Sequence, residues 1–174
     1  MRTLVITAAL FLAACSPSPN DQATEPASSS AEPQAAPNPD AAALGATPQT
    51  GSWTLRVDEG TTAAGFGAPE SEYQLVITCN AGSTLTVMSE HELSPDQDTT
   101  LRIITAVQTL DLPARSFNEG LPSVTAEVAY DAPTRTPLIS MLGAPTDRFA
   151  VEVAGVASVF PWDDAVAQAL TACR

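Results

Sequence analysis

The residues best placed to do chemistry are few. Glu90-His91-Glu92 sets the only histidine of the 174-residue chain between two carboxylates, with Asp96 and Asp98 close behind. Such a cluster could ligate a metal or move a proton. A strand running through it would put Glu90 and Glu92 on one face and His91 on the other, so the three would not converge on one ion. The spacing also lacks the Asp-x-Asp-x-Asp-Gly ladder of a calcium loop. The expectation is a solvated acidic turn, with no metal and no cofactor. Nucleophilic catalysis needs a base beside a serine or cysteine, and no serine stands in a Gly-x-Ser-x-Gly elbow. Twenty acidic residues always allow a carboxylate pair somewhere, which makes that possibility uninformative. Gly65-Phe66-Gly67 is a lone Gly-x-Gly with no helical pattern or lysine after it, a poor phosphate loop. The chain reads as a non-enzyme. Two aromatics remain as candidate binding residues: Phe66 in a small-residue loop and Phe160 ahead of a helix. The competing role for each is packing.

Charge narrows the partners. Seven arginines and no lysine oppose twenty acids, for a formal net charge of −13. So acidic a chain is repelled by phosphate backbones and anionic membrane surfaces, which excludes nucleic acid. The charge serves solubility, or it attracts a basic substrate or cationic partner.

The N-terminus has the layout of a signal peptide. Arg2 is its only positive charge, and Leu4 to Leu12 is an apolar core followed by two alanines. A membrane span needs about 20 apolar residues, and this run stops well short. Leu12-Ala13-Ala14-Cys15 resembles the lipobox of bacterial lipoproteins. The resemblance implies that residues 1–14 are removed and that Cys15 becomes an acylated N-terminus held in a lipid bilayer. Two or three acyl chains, such as palmitate beside diacylglycerol, give a lasting anchor where one gives a marginal one. Ser16 follows the cysteine where aspartate would signal retention at the inner membrane. The expected location is therefore the cell envelope, at the outer membrane facing the periplasm, and the expected partner is another envelope protein. Removing Arg2 leaves six arginines against twenty acids, a formal charge of −14.

Residues 15–50 form the lipidated end and a tether. Of the 35 residues from Ser16 to Thr50, 21 are Ala, Ser or Pro, and Leu44 is the only large aliphatic one. Such a stretch cannot bury enough apolar surface to offset chain entropy, so disorder is expected.

Residues 51–174 suit one domain with one core. Trp53–Val57 alternates as a half-buried strand, and Asp58-Glu59-Gly60 turns the chain. Thr61–Glu72 reads as a loop. Tyr73–Cys79 is the strongest strand, with Tyr73, Leu75, Ile77 and Cys79 on one face, and Asn80–Ser83 joins it to Thr84–Met88 as a hairpin. Leu101–Val107, Val124–Tyr130 and Phe149–Val153 are further strands, and Pro137–Gly143 suits one helical turn across the sheet. Pro161 suits the first position of a C-terminal helix whose apolar stripe is Trp162, Val166, Ala169, Leu170 and Cys173. The fold class is mostly β, an antiparallel sandwich or barrel-like sheet with one C-terminal amphipathic helix.

With Cys15 assigned to lipid and the chain exported, Cys79 and Cys173 have only each other to pair with in an oxidising compartment. A disulfide between them would clamp the helix onto the sheet. The Trp-bearing strand, the strand ending in cysteine near a hairpin, and the closing VEVAGVASVFPWDDAVAQALTACR resemble small envelope proteins of the invasion-associated locus B type over residues 51–174. That resemblance implies a β-sandwich and no agreed activity. Lysozyme-inhibitor lipoproteins also pair a strand cysteine with a late one, although no matching inhibitory loop stands here.

Overall fold

In the computed structural model, residues 38–80, 83–118 and 120–173 are described. Cys15, the signal peptide, most of the tether and two residues of the Asn80–Ser83 connection lie outside them. Nine strands follow a 3-10 helix, Pro39–Gly45: β1 Ser52–Asp58, β2 Thr61–Gly67, β3 Leu75–Asn80, β4 Thr84–Glu90, β5 Asp98–Ile104, β6 Thr109–Phe117, β7 Ser123–Val128, β8 Arg148–Val153 and β9 Val156–Pro161. Helix α1, Arg135–Leu142, precedes β8, and helix α2, Asp164–Thr171, ends the chain. All strands pair antiparallel in one sheet, in the order β1-β2-β3-β4-β7-β6-β5-β8-β9. The expected class, a mostly β antiparallel, barrel-like sheet with a C-terminal helix, is what the chain adopts.

Period-2 alternation builds the interior. Leu75, Ile77 and Cys79 of β3 face inward opposite Ser89, Val87 and Leu85 of β4, and all six are buried. The sheet coils until its two edges meet without forming a ladder. Trp53 Nε1 donates to Pro161 O at 2.7 Å, and Gln49 N–H donates to Val159 O at 2.8 Å. Four rings from β1, β2, β8 and β9 pack across this seam: Trp53–Phe66 at 5.3 Å, Phe66–Phe160 at 5.3 Å, Phe149–Phe160 at 6.0 Å and Trp53–Phe149 at 6.2 Å.

Several sequence expectations are corrected. The Thr61–Glu72 loop is strand β2 as far as Gly67. Its small residues carry little β preference of their own, and the ladders with β1 and β3 impose the conformation. Gly65 and Gly67 are there for close approach, because a Cβ on Gly65 would stand 2.8 Å from the Tyr73 ring and one on Gly67 2.9 Å from Glu72 O. Strand β6 contains Pro113, which hides its pattern. The proline is tolerated because β6 meets β7 only from Arg115 onward. The expected 101–107 strand starts at Asp98 and stops at Ile104, where the Thr105 hydroxyl and Gln108 close a turn. Pro161 ends β9 instead of starting the helix. Asp163 is the N-cap, accepting from Ala165 N–H at 2.9 Å.

The domain also begins earlier than residue 51. Asn38 caps the 3-10 helix and donates through Nδ2 to Thr105 O at 2.9 Å and to Thr109 Oγ1 at 3.1 Å. Arg102 bridges Asp40 at 2.8 Å, Glu152 at 2.8 Å and Asp111 at 3.1 Å. Ala43 and Leu44 cover Ile104, Ala150 and Val159 on the outer face of the sheet. This segment cannot build a core alone, so it borrows one. These half-buried ion pairs add on the order of 1 kcal/mol each.

Cys79 and Cys173 are bonded, with S–S 2.00 Å and Cα–Cα 5.4 Å. Beside them, buried Arg135 donates to Ser83 O at 2.9 Å and to Cys173 O, and its guanidinium lies 5.1 Å from the Tyr130 ring centre. Arg135→Met keeps the stem and strips those carbonyls of their donor. The expected loss is about 2–3 kcal/mol, read from a denaturant titration. An unchanged midpoint would mean that water replaces the guanidinium at no cost.

Candidate functional site

Glu90-His91-Glu92 stands where strand β4 gives way to a turn. Strand β4 ends at Glu90, and the chain then leaves the ladder, with Glu90 N–H donating to Gln74 O at 2.9 Å and His91 N–H to Pro122 O at 3.2 Å. Freed from strand geometry, all three side chains line one cavity of about 570 Å³. Its far wall is β9, where Val156, Ser158 and Phe160 alternate on one face, and Gln49, Gln74, Leu93, Val153 and Ala154 complete the lining. The cavity lies where the coiled sheet fails to close, the mouth of a barrel-like fold, a common place for small-molecule sites.

The polar groups here are two carboxylates, two amides, a hydroxyl and an imidazole. His91 Nε2 lies 3.3 Å from Val156 O. A carbonyl only accepts, so Nε2 carries the proton and Nδ1 of the neutral ring presents a lone pair. That Nδ1 is buried and has no partner, and neither has Oε1 of Gln74. Ser89 Oγ, one residue before Glu90 on the interior face, is likewise unpaired. Burial holds the His91 pKa below its ordinary 6.5, against the opposing pull of the Val156 carbonyl, the Glu90 charge and the Ser89 carbonyl. The ring is therefore neutral at pH 7. Glu90 and Glu92 are exposed beside it, and no lysine or arginine lines the cavity.

The hydrogen bond of the His91 ring runs to the Val156 carbonyl and not to a serine. Among the described residues, no three His, Cys, Asp or Glu side chains are grouped to hold a metal ion.

The two aromatic candidates are not a binding patch. Phe66 is 0% exposed and Phe160 is 1% exposed, both locked into the seam of rings. Phe160 still forms the floor of the cavity. Cys79 and Cys173 form the staple, and Cys15 lies outside the described residues. Gln49, Gln74 and Ser158 carried no sequence signal. They are ordinary polar residues far apart in the chain, and only the coiling of the sheet brings them together. Comparisons with protein-family models, curated proteins and solved structures returned no match.

Proposed function

We propose that this protein is a lipid-anchored lipoprotein of the cell envelope that acts by binding, without catalysis, and that the cavity at the sheet mouth is where it engages another envelope component. One observation carries the reading: a cavity of ligand size, about 570 Å³, is lined by acidic, polar and apolar residues from four separate parts of the chain. The lipobox-like Leu12-Ala13-Ala14-Cys15 supports the anchor, and the long Ala/Ser/Pro-rich segment after it supports a domain held away from the bilayer.

Two variants test it. Cys15→Ser is expected to move the protein from the membrane fraction to the soluble one, and continued membrane attachment would remove the anchor from the proposal. Ser158→Trp fills the cavity from β9. Lipidated wild-type protein in neutral detergent is expected to capture a specific envelope component at moderate salt, and Ser158→Trp to lose it. Equal capture by both would place binding elsewhere.

The acidic rim favours a second reading, inhibition of a cationic hydrolase such as lysozyme. That reading requires capture of lysozyme that weakens steeply with salt, because exposed charges are screened beyond about 8–10 Å.

A further inference from the structure

We propose that residues 38–50 form a releasable strap. Docked, it crosses the outer face of the sheet from β6 to β9. Released, it leaves as one unit, uncovers that face and lengthens the chain ahead of β1.

The sheet register lays out the face it covers. Thr109, Ile104, Ala150 and Val159 are successive cross-strand partners on β6, β5, β8 and β9, and Asp111, Arg102, Glu152 and Ala157 form the next row. The strap runs over both rows. Asn38 and Asp40 hold Thr109 and Arg102 at one end. Ala43 and Leu44 lie on Ile104, Ala150 and Val159 in the middle, and the Gln49 N–H reaches Val159 O at the other end. Those three apolar residues are each 0% exposed, yet no residue of the 3-10 helix above them is buried.

The segment gives up little by leaving. A short 3-10 helix has poor hydrogen-bond geometry, and its apolar grip is one leucine and one alanine. The ionic grip lets go cleanly. Arg102 keeps Glu152 at 2.8 Å and Asp111 at 3.1 Å, while Asp40, already 35% exposed, returns to water. No buried charge is stranded, so the largest penalty for breaking an ion pair is absent. Few apolar contacts and solvent-facing hydrogen bonds mark a segment that opens locally, below global unfolding.

Release has two consequences. Gln49 lines the mouth cavity, so its departure opens one wall of the cavity and frees the Val159 carbonyl on the β9 edge. Residues 38–50 also join the chain leading to Cys15, adding up to roughly 40 Å of reach at about 3.1 Å per residue. Only the second consequence rests on the anchor proposed above.

The test is native-state hydrogen exchange, followed by NMR on the full chain in neutral detergent. The reporters are the amides of Ala46, bonded to Ala43 O at 3.3 Å, and of Gln49, bonded to Val159 O at 2.8 Å. Ile77 and Val87, partners in the β3–β4 ladder, report global unfolding. In wild type the two strap amides should exchange together, roughly tenfold or more slower than a free chain and roughly a hundredfold or more faster than Ile77 and Val87. Leu44→Ala should speed both by roughly five- to tenfold, the scale of a half-buried leucine. Asp40→Ala should speed both by roughly two- to fivefold, the scale of a half-exposed ion pair. Ile77 and Val87 should stay unchanged in either variant. Raising salt from about 50 to about 500 mM should speed the strap amides in wild type and do little in Asp40→Ala. Three results would overturn the strap. Exchange of Ala46 and Gln49 at the rate of Ile77 and Val87 would make the segment an inseparable part of the domain. Exchange at the free-chain rate would mean that it never docks. A variant that speeds Ala46 and leaves Gln49 untouched would show two independent ends instead of one unit. Envelope capture and its loss in Ser158→Trp are a separate readout, so the strap and the binding reading stand or fall independently.

Discussion

Replacing Cys79 and Cys173 together by alanine should lower the unfolding free energy by about 4–5 kcal/mol. The bond spans 94 residues, and closing a loop of that size removes about this much from the denatured chain in the entropy account of cross-links. For a domain of this size the thermal midpoint should fall by roughly 10–20 °C. Addition of reductant to the wild-type protein should do the same, seen as a shift in the melting curve by circular dichroism. The bond also works locally. Cys173 lies two residues past the end of α2, whose Val166, Ala169 and Leu170 are fully buried, and α2 packs on β2 and β3. Arg135 holds the Cys173 carbonyl from the other side, so the disulfide and Arg135 fasten one joint. Their effects should therefore not add. Arg135→Met should cost less in the double-alanine background than in wild type, a coupling that a double-mutant cycle measures. A melting curve indifferent to reductant would show that helix packing alone closes the fold.

Phe66→Ala should cost about 3–5 kcal/mol, the range for deleting a buried ring that its surroundings cannot collapse around. Phe66 meets Trp53 edge-on at an interplanar angle of 61° and Phe160 at 81°, joining the first part of the sheet to the last. Its neighbours Gly65 and Gly67 are already closed over by Tyr73 and Glu72, so the strand has little room to shift into the void. In urea the midpoint should drop with the slope unchanged. A ring on a surface patch would give a change within about 0.5 kcal/mol, and that outcome would return Phe66 to the list of binding residues.

The contrast at Phe66 shows what local sequence can and cannot carry. Its neighbours are Ala63, Ala64, Gly65 and Gly67, a composition with the look of a loop, and no residue within five positions reveals the pairing that makes it a strand. The β3–β4 pair was legible for the opposite reason. Alternating β-branched and aliphatic residues encode their own face, and Leu75, Ile77 and Cys79 lie inside as the period demands. The β8–β9 connection, Ala154-Gly155, has φ of 50° and 81°, yet β9 after it is hard to read because Pro161-Trp162-Asp163-Asp164 carries strong helix-start chemistry. The helix does start there, three residues later, with Asp163 as its cap.

By itself the sequence determined the mostly β class, the inward face of the central hairpin, the C-terminal helix and the identity of the two domain cysteines. All of these follow from short-range periodicity or from residue counts. Only the tertiary structure decided that Asn38 to Gly45 belongs to the domain, because that segment is stable only on the apolar outer face of β5, β8 and β9. Only it decided that Glu90, His91 and Glu92 share a cavity, because strand β4 ends one residue before the histidine. The meeting of Gln74 with Ser158 was settled the same way. Eighty-odd residues separate them, and no local preference spans that distance; the coil of a twisted sheet does.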